Sequence, residues 1–222
     1  MSEIVAVTGT NTEIGKTVAT AALAAAALRA GRSVCVVKPV QTGVRGDEPG
    51  DVHEVARRVA PLGAPALVEL LRLPEPMAPE AAADRAGVAL PPIAEHAERI
   101  EKLAAEHDLV LVEGAGGVLV RLDTRGGTLA DLARLIGAQA VVVTPPGLGT
   151  LNVTELTVEA LTARGVTTRG IVVSRWPVEP GPVEQQNLRD LPRLTGVPLL
   201  GVVPELAPGD VPTITRTPAD HA

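Results

Sequence analysis

Residues 4 to 31 leave a folding chain few options. The apolar run Ile4 to Val7 passes through Thr8-Gly9-Thr10-Asn11-Thr12-Glu13-Ile14-Gly15 into Lys16-Thr17 and an Ala-rich stretch that Gly31 closes. A short run of branched apolar residues favours a buried strand, and an Ala-rich stretch ended by glycine favours a helix. Runs of the same β type recur at Val34 to Val37, Leu109 to Val112, Ala140 to Val143, Gly170 to Val173 and Leu199 to Val203, which predicts six buried strands. Helical stretches fall between them, at Thr17 to Ala30, Asp51 to Ala60, Pro91 to Glu106, Leu129 to Ile136, Leu151 to Arg164 and Pro182 to Leu194. Strand and helix in alternation predict an α/β fold, a doubly wound and mostly parallel sheet with helices on both faces.

Composition agrees with that sheet. With no Phe, no Tyr and one Trp, the core must be built from Val, Leu, Ile and Ala, which is what strands covered on both faces bury. A length of 222 residues with 45% hydrophobic content fits one domain spanning 1–222. The rhythm breaks at Gly43 to Gly50 and at Leu62 to Pro79, both expected to be substrate loops, and in a Pro-rich tail, expected to be loosely ordered over about 207–222. A net charge of -6 argues against a nucleic-acid partner, because neutralising phosphates needs a basic face. No basic and apolar leader opens the chain and no stretch is apolar enough to cross a bilayer, so no membrane partner and a cytoplasmic location are expected. Cys35 stands alone and makes no disulfide. His53, His96, His107 and His221 lack metal-ligand spacing and read as exposed helix or tail residues.

The strand, loop and helix ending in Gly15-Lys16-Thr17 form the context a phosphate-binding P-loop requires. Backbone N–H groups of such a loop point at phosphate oxygens, and the helix that follows adds its positive end. Lys16 would bridge the β and γ phosphates, and Thr17 would ligate Mg²⁺. Five residues separate Gly9 from Gly15 where the common pattern has four, so Thr10 takes the first-glycine position. Of 20 basic residues only Lys16, Lys38 and Lys102 are lysine, and the first two flank the phosphate chemistry, where a compact ammonium fits and a guanidinium does not. Lys38 closes the second strand in Lys38-Pro39-Val40-Gln41-Thr42-Gly43, at the edge where ligands of open α/β sheets bind. Glu113 ends the strand Leu109 to Val112 ahead of Gly114-Ala115-Gly116-Gly117 and resembles a Walker B acid with Glu for Asp. Asp51 opens a helix and reads as a helix cap or as a further metal carboxylate.

Taken together and in order, GTNTEIGKT, KPVQTG and VEGAGG resemble the dethiobiotin synthetase family, from residue 3 to about residue 206. Glu75 to Pro79, Gly147 to Asn152 and Gly201 to Leu206 add to the resemblance. What it implies is a P-loop NTPase fold and an ATP-dependent ring closure. In that reaction 7,8-diaminononanoate takes up CO₂ as a carbamate, ATP phosphorylates it, and the second amine displaces phosphate, giving dethiobiotin. The resemblance assigns catalysis to Lys38, Lys16 and Thr12, and substrate contacts to Thr12, Lys38, Thr42 and Asn152. Mg²⁺ falls to Thr17, Asp51 and Glu113. ATP contacts fall to Glu13, Ile14, Gly15, Lys16, Thr17, Val18, Asp51, Glu113, Gly114, Ala115, Gly116, Ser174, Pro204, Glu205 and Leu206. It also implies a homodimer in which the helix start near Asn152 holds the substrate carboxylate of the partner's site. The family often has Asn, reading adenine, where this chain has Ser174. A regulatory ATPase switch of the ParA and MinD kind shares the architecture, but carries a lysine early in the loop where this chain has Thr10 and Asn11.

Overall fold

The computed structural model describes residues 2–207 and 209–215. The main elements are β1 (Glu3–Gly9), α1 (Lys16–Arg29), β2 (Val34–Lys38), α2 (Asp51–Val59), β4 (Ala66–Glu69), α4 (Ile93–Ala104), β6 (Leu109–Gly117), α5 (Leu129–Leu135), β7 (Gln139–Thr144), α6 (Thr150–Thr162), β8 (Thr168–Trp176), α7 (Pro182–Thr195) and β9 (Leu199–Pro204). Seven strands form one sheet in the order β4-β2-β6-β1-β7-β8-β9, and every pairing between neighbours is parallel. β1 therefore lies at the centre, and its C-terminal end opens onto the edge where a ligand can reach.

The strands separate two cores by residue parity, because successive side chains point to opposite faces. Val5, Val7, Val34, Val36, Leu109, Leu111, Val141 and Val143 share one core with the alanines of α1 and with Val52, Val55 and Val59 of α2. Ala6, Cys35, Val37, Val110, Val112, Ala140 and Val142 face the other, against Ile100, Leu129, Leu132, Leu161 and Leu191 of the helices opposite. Cys35 is fully buried, and burial followed by the charge of Glu106 pushes its thiol up to about 11, which keeps it inert.

Several expectations change. Residues 62–79 are not a loop alone: they contain β4, a seventh strand on the sheet edge, and β5 (Arg72–Leu73), which pairs in parallel with β3 (Gln41–Thr42) as a small second sheet. β4 is only four residues long and no more than partly buried, so it lacks the continuous apolar run of a central strand. α3 (Pro79–Ala86) follows, with Pro79 at its first turn, where its missing N–H costs nothing. α4 begins at Ile93, two residues later than expected, because Pro91 and Pro92 hold the chain extended. His96 is not exposed: it is 2% accessible, and its Nε2 has no hydrogen-bond partner. The start of the tail stays on the sheet, since Thr215 forms an antiparallel bridge with Val202 and a Cβ at Gly201 would meet the Thr215 carbonyl at 2.4 Å. The remainder of the tail, 216–222, and His221 with it, lies outside the described residues. No helix among the described residues is long and apolar enough to cross a membrane.

Candidate active site

The loop between β1 and α1 has a shape its residues enforce. A Cβ at Gly9 would lie 2.9 Å from both the Asn11 carbonyl and Ile14 Cδ1, so only glycine lets the chain turn there. Gly15 caps α1 with φ 92°, in the left-handed region, and lies against Ser174. Two anchors fix the loop to the sheet. Thr10 N–H donates to the Val143 carbonyl at 3.0 Å, and the Ser174 hydroxyl donates to the Ile14 carbonyl. The Thr144 hydroxyl, bonded to Thr150 at 2.6 Å and Thr154 at 2.9 Å, ties the start of α6 to the strand end beside that loop.

Lys16 folds back over the loop and donates to the Asn11 carbonyl at 2.9 Å. Burial, and then the positive charge of Lys38, lower its pKa, while Glu113 and Asp51 oppose them. Lys38, at the end of β2, uses all three ammonium donors: Asp51 Oδ2 at 2.5 Å, Glu113 Oε1 at 2.9 Å and the Gly114 carbonyl at 3.1 Å. Burial alone would lower its pKa, but the two carboxylates more than offset it and hold the amine above its ordinary value. Asp51 is not the cap of α2: Gly50 occupies that position, the Asp51 N–H donates to Gln41 Oε1 at 2.9 Å, and the side chain turns to Lys38.

Glu113 is 1% accessible. Its Oε1 accepts from Thr17 Oγ1 and from Lys38, both at 2.9 Å, while Oε2 is buried with no partner. A buried carboxylate oxygen left over beside a hydroxyl and a second carboxylate is what a hard divalent cation satisfies. Among the described residues no group of three or more His, Cys, Asp or Glu could hold a metal, so Thr17, Glu113 and Asp51 suit an ion that takes its remaining ligands from phosphate and water. The residues present therefore fit Mg²⁺.

These groups open onto one cavity of about 660 Å³. Thr12, Glu13, Gly15, Lys16, Thr17, Lys38, Thr42, Asp51, Glu113, Ala115 and Gly116 line it, all singled out from sequence. Its far wall comes from Pro76 to Pro79, held by the Gly43 N–H bond to the Glu75 carbonyl at 3.1 Å. Gln41, Gly43, Val120 and Arg175 also line the cavity and were not among the site residues read from sequence. Gln41 lies inside a motif already noticed, and Arg175 directly follows Ser174. Other expected residues stand elsewhere. Ser174 is buried and supports the loop, and Ile14 and Val18 pack into the core beneath it. Gly114 contributes its carbonyl to Lys38. The Glu205 N–H bonds the Trp176 carbonyl, Leu206 packs on the core, and neither they nor Pro204 line the cavity. Asn152 is exposed on α6, away from it.

A parallel sheet whose central strand runs through this loop into α1, with Lys16, Thr17 and Glu113 gathered at its C-terminal edge, defines a P-loop nucleoside triphosphate-binding fold. Comparison with known proteins agrees. A family described as an AAA domain matches residues 4–213. The ATP-dependent dethiobiotin synthetase BioD of Streptomyces coelicolor is 52% identical over 218 residues, covering 98% of this chain and 90% of its own. Its namesake from Streptomyces avermitilis is 54% identical over 203 residues, covering 90% and 83%. Among solved structures, the septum site-determining protein MinD from Pyrococcus horikoshii, in complex with Mg-ADP, superposes with TM-score 0.58 at 24% identity, covering 93% of this chain and 82% of that one, a likeness of fold. The chain belongs to the ATP-dependent dethiobiotin synthetase family of enzymes.

Proposed function

We propose that this cavity carboxylates 7,8-diaminononanoate and closes it to dethiobiotin, consuming ATP and releasing ADP and phosphate. The observation that carries the reading is the meeting of two lysines on one cavity, Lys16 from the phosphate loop and Lys38 from the end of β2. One suits the phosphoryl donor and the other its anionic acceptor. In the first step one amine attacks CO₂, forming an N–C bond and losing a proton, and Lys38 steadies the carbamate with Thr12 and Thr42 as hydrogen-bonding neighbours. A carbamate oxygen then attacks the γ-phosphorus, and the bond to ADP breaks with its electron pair leaving on ADP. Lys16 and the loop amides bear the charge that develops on the transferring group. The second amine attacks the carbamoyl carbon, phosphate departs with the carbamate oxygen, and the amine proton passes to solvent or phosphate. Thr17, Glu113 and Asp51 would hold Mg²⁺, which screens the approach of two anions.

Among the described residues no histidine lines the cavity, and none is needed, since phosphate is itself a good leaving group. We further propose a homodimer in the cytoplasm, with the helix start near Asn152 of one copy closing the substrate end of the other's site. The MinD-like switch gains no support from a fold-level likeness. The test is ADP release by the purified chain. It should require diamine and bicarbonate together, and turnover indifferent to both would overturn the proposal.

A further inference from the structure

We propose that Arg175 holds the nucleoside end of the triphosphate, with its guanidinium plane against the base, an inference that rests on the nucleotide-site reading above. The residue expected at the base cannot serve. Ser174 is 1% accessible, and its one hydroxyl proton is committed to the Ile14 carbonyl. The next residue is placed differently. Between β8 and β9 the register runs Val173 to Val202 and Trp176 to Pro204, so β8 carries one extra residue, and Arg175 has φ 51° within that irregularity. A left-handed conformation disfavours a residue with a Cβ, and a bulge of this kind re-aims a side chain that a regular strand would hold flat on the sheet. Here it turns Arg175 over the phosphate loop: its Cγ lies 3.8 Å from where a Cβ on Gly15 would stand, and it lines the cavity beside Glu13 and Lys16.

Among the described residues the other cations lining the cavity are engaged, Lys38 with Asp51 and Glu113, and Lys16 with the Asn11 carbonyl. Among the described residues Arg175 makes neither a salt bridge nor a side-chain hydrogen bond, and it is exposed. A base also needs a flat partner, and no aromatic residue lines the cavity: the chain has no Phe or Tyr, and Trp176 packs against the core. A guanidinium is planar, weakly hydrated and stacks on π-faces, so Arg175 supplies the surface that the composition withholds. Stacking does not read the hydrogen-bonding edge, and the contact should tolerate any base.

Titration calorimetry of the full chain with Mg-ADP and, separately, with inorganic tripolyphosphate tests the assignment. Arg175→Asn removes the guanidinium while keeping a residue that accepts left-handed φ. It should weaken ADP about tenfold and leave tripolyphosphate within about twofold of wild type. Arg175→Lys, charged but not planar, should fall between the two. Equal loss for both ligands would make Arg175 a phosphate ligand, or, with a lowered melting temperature, a structural residue, and either result overturns the proposal. So would unchanged ADP binding in both variants. A wild-type chain that binds neither ligand would bring down the nucleotide-site reading itself.

Discussion

Replacing Lys38 with Met, which nearly fills the same volume without charge, should cost stability as well as activity. From the sequence Lys38 belongs to a solvent-facing strand end, where its loss would leave the fold untouched. In the structure it is 3% accessible and neutralises Glu113, itself 1% accessible. Without the ammonium, Glu113 keeps Thr17 as its one partner, and its second oxygen is already orphaned. Removing one member of a buried ion pair typically costs about 3–5 kcal/mol, because an uncompensated charge stays buried. Asp51, with its side chain 37% exposed, adds little, since water takes over from the lysine. With a urea slope of about 3 kcal/mol per molar, the unfolding midpoint should fall by about 1 to 1.7 M at neutral pH. One control isolates the cause. Lys38→Met combined with Glu113→Gln should recover most of the lost midpoint and none of the turnover. In wild type, pairing raises the Lys38 pKa above its ordinary 10.5, so its stabilisation is complete below that pH and is lost only as pH climbs past the raised value. A single variant within about 0.3 M of wild type, or a double variant no more stable than the single, would refute the reasoning.

Burial lowers the pKa of His96, with Asp123 opposing and Arg99 reinforcing it. The unfolded chain then binds the proton first as pH falls below the ordinary 6.5, so stability declines until the lower folded value is reached. His96→Leu should lose less stability than wild type between pH 7 and pH 5 in urea unfolding, and parallel losses would exclude the histidine as the cause. Because the Ser174 hydroxyl serves the loop, base selectivity should be weak, with CTP and GTP within about tenfold of ATP in kcat/KM, and a preference beyond about a hundredfold would show that another group reads the base edge. If sites are completed between copies, mixing inactive Lys16→Ala and inactive Asn152→Ala chains should restore part of the activity, whereas a fully active monomer in analytical ultracentrifugation would exclude that arrangement.

Much of the fold was legible because parallel strands announce themselves: Val34 to Val37 and Ala140 to Val143 are apolar at every position, as burial on two faces demands. β4 was not, since an edge strand only partly buried carries no such run. The phosphate loop could be read from Gly9, Gly15 and Lys16 because each meets a local constraint. The binding of Lys38 to Asp51 and Glu113 could not, as it joins three distant parts of the chain, and Asp51 fits a helix start equally well. Ser174 misled because a hydroxyl at a strand end looks available, and only the packing of the loop above it shows that it is spent. Nothing in an arginine signals the left-handed bulge that turns Arg175 into the cavity.

The route of one oxygen tests the central claim most directly. If the carbamate attacks the γ-phosphorus and phosphate later leaves from the carbamoyl carbon, freshly prepared ¹⁸O-bicarbonate in a single turnover must deliver ¹⁸O to inorganic phosphate as the ring forms. Phosphate free of ¹⁸O, its fourth oxygen drawn from solvent and its release indifferent to diamine, would mean that water attacks ATP in this cavity and that the chain does not phosphorylate a carbamate.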